Sequence, residues 1–309
     1  MENQAEHVPV LYHEVLALLQ PRPGGLYIDG TVGAGGHTAG ILTASAPAGR
    51  VLAFDRDPEA IAYARQRLQA FGDRITFVTA SYAEMGRLAP QHHFAPVDGV
   101  LLDLGLSSRQ LDAAERGFSL RQEGPLDMRF DPTHGPSAAD LVNNLPAAEL
   151  ADIFWRYGEE RQSRRYAQAI VAARPVYTTT QLAGIIAREA RGPRRRIHPA
   201  TQVFQALRIA VNEELAMLET GLLAAIDLLK PSGRVAVISF HSLEDRFVKQ
   251  TFRQLSQTCT CPPGQPVCTC NTRPTLQLVS RKALKPDEAE IAQNPRSRSA
   301  RLRVAQKLA

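Results

Sequence analysis

Apolar runs that end in acids alternate with helix-like stretches over the first third of the chain. Leu26 to Asp29 is such a run, and Val51 to Asp55, Ile75 to Val78 and Val97 to Asp103 follow it. Between them Thr38 to Ala44 reads as a helix, and so does Pro58 to Gln69, which opens on a proline where the missing N–H costs nothing. Runs that are apolar at nearly every position, rather than at every second one, belong to strands covered on both faces. The pattern therefore predicts a parallel sheet with helices on either side. After Ser108 the pattern changes. Leu111 to Ser137 is rich in glycine, proline and charge and reads as an extended loop. Leu150, Ile153, Phe154 and Tyr157 then recur at the spacing of one helix face. Another helix is predicted to start after Thr178-Thr179-Thr180, with Leu182, Ile185 and Ile186 on its buried side. Ala200 to Leu229 reads as a long helical segment broken near Gly221. Strand-like patterning returns at Arg234 to Phe240, and Leu276 to Val279 and Ala300 to Val304 supply two closing strands. The economical reading is an α/β core, residues 1–112 and 213–309, interrupted by a helical insertion at 113–212.

Composition narrows the class without naming a function. With 309 residues, 44% hydrophobic and 22% charged, the chain can bury a sizeable core. The polar segment Met1 to Val10 lacks the features of a secretory signal. The richest apolar stretch, Gly221 to Leu229, contains Asp227 and is closed by Lys230, well short of the ~18 apolar residues a membrane helix needs. A soluble, cytoplasmic protein without a membrane partner is expected. The net charge of +5 says little, but the arginines cluster. They gather at Arg161, Arg164 and Arg165, at Arg191, Arg194, Arg195 and Arg196, and at Arg296, Arg298, Arg301 and Arg303. Any one cluster is also what a solvated face looks like; three of them outside the first strands point towards a polyanion.

The turn after the first strand, Asp29-Gly30-Thr31-Val32-Gly33-Ala34-Gly35-Gly36-His37, opens a helix. Such glycines let the backbone turn sharply beneath a ligand, and the helix start offers unpaired N–H groups. Asp55 stands at the end of the second strand, where an acid can accept from ribose hydroxyls. A dinucleotide fingerprint fails in either register: from Gly33 the final position is Thr38, and from Gly30 the third is Val32. Asp29 before the glycines would repel a pyrophosphate, yet it suits a cationic ammonium and sulfonium. S-adenosylmethionine is thus favoured over NAD.

Asp103 ends the fourth strand, the edge at which ligands of such sheets bind. If an exocyclic amine is methylated there, Asp103 is the candidate acceptor for its proton, with Ser107, Ser108 and Gln110 holding donor or base. Asp98, within the same run, reads as a turn residue. His241 can touch substrate or cap the next helix, and Arg116 and Arg129 can meet substrate or brace the loop. Cys259, Cys261, Cys268 and Cys270 form two pairs with one residue between partners, where zinc sites usually have two to four. A reduced loop without metal is the reading taken; a structural zinc site stays open.

Many ordered blocks now add up to a resemblance. HVPVLYHEVL, DGTVGAGGHT, DRDPEAI, DGVLLDLGLSS, RGFS, GPLDMRF, YGEER, HPATQVFQALRIAVNEEL, VISFHSLEDRFVK and NPRSRSARLRV span nearly the whole chain. The sequence resembles the ribosomal RNA small subunit methyltransferase H family, bacterial enzymes that methylate N4 of a cytidine in the decoding region of 16S rRNA. The resemblance implies a class I, Rossmann-like fold with a helical insertion that recognises substrate. It implies a donor site of Gly33, Gly35, Gly36, His37, Asp55, Asp103 and Gln110, with Tyr82 as the aromatic after the third strand. Arg116, Arg129, Arg194, Arg195, Arg196, His198 and His241 become candidate RNA contacts. The implied partner is 16S rRNA, within a 30S particle, and the acting species can be a homodimer. The Pro-Pro-aromatic element of DNA amino-methyltransferases is missing after Asp103, so base stacking must come from elsewhere.

Overall fold

A computed structural model describes residues 9–192, 197–262, 265 and 269–309. The chain forms two compact units, Met1–Gly105 with Met217–Ala309, and Leu106–Ala216.

The first unit is a seven-stranded sheet flanked by helices. Helix α1 (Tyr12–Leu19) leads into β1 (Leu26–Asp29), α2 (Gly36–Ala44), β2 (Arg50–Asp55), α3 (Pro58–Arg67), β3 (Ile75–Thr79), α4 (Met85–Gln91) and β4 (Val97–Asp103). In the second unit follow α5 (Ser108–Asp112), α6 (Ala138–Asn144), α7 (Ala147–Gly158), α8 (Ser163–Ala172), α9 (Thr179–Glu189) and α10 (Thr201–Asn212). The chain then runs through α11 (Glu214–Leu228), β5 (Leu229–Ser239), α12 (Ser242–Leu255), β6 (Leu276–Leu278), α13 (Glu288–Gln293) and β7 (Arg301–Lys307).

The sheet order is β3-β2-β1-β4-β5-β7-β6. Strands β1 to β5 pair in parallel, and β7 runs antiparallel between β5 and β6. The order reverses between β1 and β4, which opens a crevice at their C-terminal ends. The apolar runs are explained by what covers them. Leu52, Phe54, Val100, Leu102, Val235 and Val237 face α4, α11 and α12. Val51, Ala53, Leu101, Ala236 and Ile238 face α1, α2 and α3. Alternate residues serve opposite layers, so nearly every strand position must be apolar.

The second unit has its own core. Leu150, Phe154, Tyr166, Ile170, Leu182, Ile186, Val203 and Leu207 from α7 to α10 close around Phe118, Leu126 and Met128. Thr178 caps α9 through a reciprocal capping box with Gln181. Leu182, Ile185 and Ile186 are buried, as their spacing predicts.

Two expectations fail for identifiable reasons. The long helical segment breaks at Glu213, in left-handed conformation with φ 52°, and runs unbroken through Gly221. Glycine 221 answers a close approach instead: a Cβ there would sit 2.3 Å from Cδ2 of Tyr82. Asp98 lies inside β4 rather than in a turn, beside a register shift between Val97 and Gly99. Its buried carboxylate meets Arg22 Nε at 2.6 Å and Lys230 Nζ at 2.5 Å, and accepts from Leu26 N at 3.0 Å. Burial alone would raise that carboxyl, but Lys230, Leu26 and Arg22 together hold it below the usual range.

Candidate active site

Three acids end the adjacent strands β1, β2 and β4: Asp29, Asp55 and Asp103. The glycine turn lies over them and is stitched to both neighbours of β1. Gly30 N donates to Leu101 O at 2.9 Å and Val32 N to Phe54 O at 2.8 Å. Gly33 and Gly35 have φ of 49° and 80°, a region that costs an L-residue roughly 1–2 kcal/mol. Gly35 is also packed, since a Cβ would stand 2.8 Å from Leu68. At Gly36 a Cβ would meet Pro9 Cγ at 2.3 Å. The turn is tight at Gly35 and Gly36.

The acids have different work. Asp29 is 1% exposed, and its two oxygens accept from Thr31 N at 3.1 Å and Thr38 Oγ1 at 2.5 Å. Burial lifts it to about 6 against those two bonds. Asp55 accepts from Gly33 N and Asp57 N, both at 2.9 Å, and burial lifts it also to about 6. One lone pair on each oxygen is thereby used, and the second is left for a further donor.

Asp103 is different again. Its backbone N donates to Thr31 Oγ1 at 2.7 Å, which fixes the strand tip against the turn. Among the described residues its buried Oδ1 has no hydrogen-bond partner, and neither does either ring nitrogen of His37. His37 Nε2 lies 3.7 Å from Asp103 Oδ2, too far for a good bond. Burial, then the charges of Asp29 and Glu244, push Asp103 up to about 8. Burial pushes His37 down to about 4, with the Val10 backbone opposing. The buried His37 ring and the partly exposed Asp103 carboxyl, whose Oδ1 is itself buried, thus face each other without a hydrogen bond between them, beside the negative Asp29 and Glu244. Such groups are rare in a folded protein unless something else satisfies them. A ligand that carries positive charge and hydrogen-bond donors fits that need.

Tyr82 follows β3 and is wedged between glycines: the Cβ missing from Gly30 would lie 3.0 Å from its Cβ, and that missing from Gly221 against its ring. Tyr12 of α1 stacks on His37 with ring centroids 6.2 Å apart at 25°. Neither the bracing threonines, Thr31 and Thr38, nor Tyr12 stands out in the sequence as a site residue. The spacing of Leu11, Val15 and Leu19 is a signal that would have found α1 and with it Tyr12.

His241 takes the capping role: its Nδ1 accepts from Glu244 N at 3.4 Å as N-cap of α12, and its Nε2 lies 3.1 Å from Glu244 Oε1. In the second unit, Gln110 Oε1 accepts from Ser107 N at 3.1 Å in the capping box of α5. Arg116 is buried, with Nη2 donating to the carbonyls of Arg129 and Phe130. Arg129 grips Asp127 through Nε at 3.0 Å and Nη2 at 2.7 Å. Both arginines brace the loop after α5 and leave little of their guanidinium groups for a ligand. His198 is exposed and accepts from Ala200 N at 3.2 Å through Nδ1. Arg194, Arg195 and Arg196 lie outside the described residues.

A sheet of this order, with a glycine turn at the switch point and an acid at each neighbouring strand tip, defines a Rossmann-like protein of the class I methyltransferase type. The particular family follows from the sequence: the chain belongs to the MraW methylase family, whose profile matches residues 4–308. It is 55% identical over 306 residues to the ribosomal RNA small subunit methyltransferase H of Thermomicrobium roseum, covering 98% of this chain and 94% of that one. The protein of that name from Citrifermentans bemidjiense is 53% identical over 307 residues, covering 98% of both chains. A SAM-dependent O-methyltransferase from Thermotoga maritima superposes with a TM-score of 0.44 at 12% identity, over 99% of this chain and 69% of that one. That superposition is too loose to carry any part of the assignment.

Proposed function

We propose that this protein transfers a methyl group from S-adenosylmethionine to the exocyclic N4 of a cytidine in small-subunit ribosomal RNA. The observation that carries the reading is the unpartnered pair His37 and Asp103 beneath the glycine turn, in a chain that belongs to a methylase family. Gly33, Gly35, Gly36, His37, Asp55, Tyr82, Asp103 and Gln110 would hold the donor. When bound, it supplies an activated methyl group on a cationic sulfonium. The chain's own part is electrostatic and positional. Asp29 and Glu244 make the site negative, which favours a cation; burial, with those two charges, keeps Asp103 protonated without one. Positive charge beside Asp103 offsets those neighbours and returns the carboxyl to its ionised form. That form accepts more strongly from an amine N–H and, unlike the protonated carboxyl, can take up the proton the amine loses. His37, neutral at physiological pH, can donate or accept one hydrogen bond without adding a competing charge.

RNA as the substrate rests on the names borne by relatives more than half identical to this chain. It is also supported by the second unit. Three of the four large apolar side chains exposed among the described residues, Trp155, Tyr177 and Ile197, lie there, two of them aromatic. Exposed aromatics are stacking surfaces for unpaired bases. The reading extends to the assembled 30S particle as substrate, to a homodimer as the acting species and to the cytoplasm as the place of action. The test is incubation of the protein with radiolabelled S-adenosylmethionine and 30S particles from cells lacking this gene. Label in N4-methylated cytidine, lost with Asp103→Asn, is the expected result. Donor binding without label in any RNA would overturn the substrate. Naked 16S rRNA in parallel, with sedimentation of the enzyme, separates the particle and dimer readings.

A further inference from the structure

The loop between α12 and β6 holds every cysteine of the chain. Cys268 lies outside the described residues, but the other three are brought together. Their sulfurs all lie within 4.8 Å of one another, and Cys270 Sγ is 3.8 Å from Cys259 Sγ. A disulfide would need ~2 Å, so these are separate thiols. The spacing has another meaning: four sulfurs at ~2.3 Å around a tetrahedral zinc ion are about 3.8 Å apart along each edge. We infer that Cys259, Cys261 and Cys270 form a thiolate site for a zinc ion.

The backbone around them is built to receive negative sulfur. Cys261 N donates to Cys259 Sγ at 3.4 Å, Thr269 N to Cys261 Sγ at 3.4 Å, and Thr260 N to Cys270 Sγ at 3.3 Å. Thr272 Oγ1 adds a fourth donor, to Cys270 Sγ at 3.1 Å. Every sulfur of the trio accepts at least one hydrogen bond, an arrangement that stabilises thiolates and fixes their directions. One residue between paired cysteines therefore does not exclude a metal. The bonds from Thr260 N to Cys270 Sγ and from Thr269 N to Cys261 Sγ bring the two segments together, so the ligands come from across the loop as well as along it.

Position separates this site from the chemistry. Helix α12 starts at the C-terminal end of β5, and β6 runs parallel to β5, so the loop from 256 to 275 returns at the opposite edge of the sheet. The ion is accordingly structural. It ties a segment in which no described residue belongs to the core between Leu255 and Leu276.

Metal analysis of the tag-free full chain, grown with zinc and purified without chelator, tests this directly. The expected content is about one zinc per chain, falling to a small fraction in Cys259→Ser and Cys270→Ser. Cobalt substitution should give the intense thiolate-to-metal and d–d absorption bands of a tetrahedral sulfur site. Cys268→Ser reads the fourth position: unchanged metal content assigns it to water, and partial loss to that sulfur. The cysteines are at the surface, so these variants should keep the wild-type circular dichroism and melting profile after zinc removal. Absence of zinc together with absence of cobalt thiolate bands in the wild-type protein would overturn the inference. So would a disulfide among these cysteines in protein purified anaerobically.

Discussion

The charge state of Asp103 makes the sharpest test of the site. Its carboxyl is raised from 3.8 to about 8 by burial and by Asp29 and Glu244. A folded pKa above the unfolded one means that the folded chain holds the proton longer. The group then costs nothing below pH 4, its penalty grows as pH rises towards 8, and it is constant beyond. At ~1.4 kcal/mol per pH unit the ceiling of that penalty is ~6 kcal/mol. The side chain keeps 27% exposure, so water screens part of it and ~1–3 kcal/mol is the expected size. Asp103→Asn removes the ionisation. The variant should match wild type near pH 4 and exceed it by that amount at pH 8.5 in urea unfolding without donor. Donor binding should change the opposite way. Calorimetric titration of S-adenosylmethionine into wild type should show proton release near pH 7, in two buffers of different ionisation heat. The affinity should rise by up to about tenfold per pH unit from 6.5 to 8 and then level off. The same series on Asp103→Asn subtracts titration of the donor itself, and its affinity at pH 8 should be lower by ~10–100-fold. Equal pH profiles for the two proteins, or an Asn variant less stable at pH 8.5, would refute the reasoning.

Three further substitutions separate local rules from tertiary ones. Gly221→Ala in mid-helix would ordinarily stabilise by ~1 kcal/mol, but here the new Cβ meets the Tyr82 ring, so a lower melting temperature and weaker donor binding are expected. Thr38→Val leaves Asp29 Oδ2 without its donor in a buried site. It should cost ~1–3 kcal/mol, and more at pH 8 than at pH 5, because a carboxyl near 6 is charged at the higher value. Asp98→Asn should lower stability by ~1–3 kcal/mol through its lost partners Arg22 and Lys230, an effect that shrinks as pH falls through the depressed carboxyl value. A neutral result in urea unfolding at pH 7 would refute a stabilising role for the Arg22–Asp98–Lys230 cluster.

Much of the fold is legible in the order of residues because local rules and the tertiary structure agree. The run Val97 to Asp103 has no choice but a strand covered on both faces, and Thr178 with Gln181 marks a helix start that the backbone obeys. The short helices α4 and α6 escape such a reading, since about two turns give too little periodicity to rise above the surrounding loops. The candidate site is legible as a set of positions, the glycine turn and the acids that end β1, β2 and β4. The environment of each acid is not. Asp29, Asp55 and Asp103 look alike as strand-ending carboxyls, yet Asp29 is buried on bonds from Thr31 and Thr38, Asp55 accepts from Gly33 and Asp57, and Asp103 Oδ1 has no partner among the described residues.

The sequence by itself determined the strands, the switch point and the family, because these rest on patterns within a few neighbouring residues and on motifs that recur in order. Only the tertiary structure decided what depends on neighbours far along the chain. Glycine 221 is small for Tyr82, 139 residues away, and not to end a helix. Asp98 is charged for Arg22 and Lys230. Asp103 is raised to about 8 by burial and by acids on other elements, and three cysteines meet because a loop folds back on itself. A side chain's pKa, like a metal site, is a property of what surrounds it, and the surroundings exist only once the chain has folded.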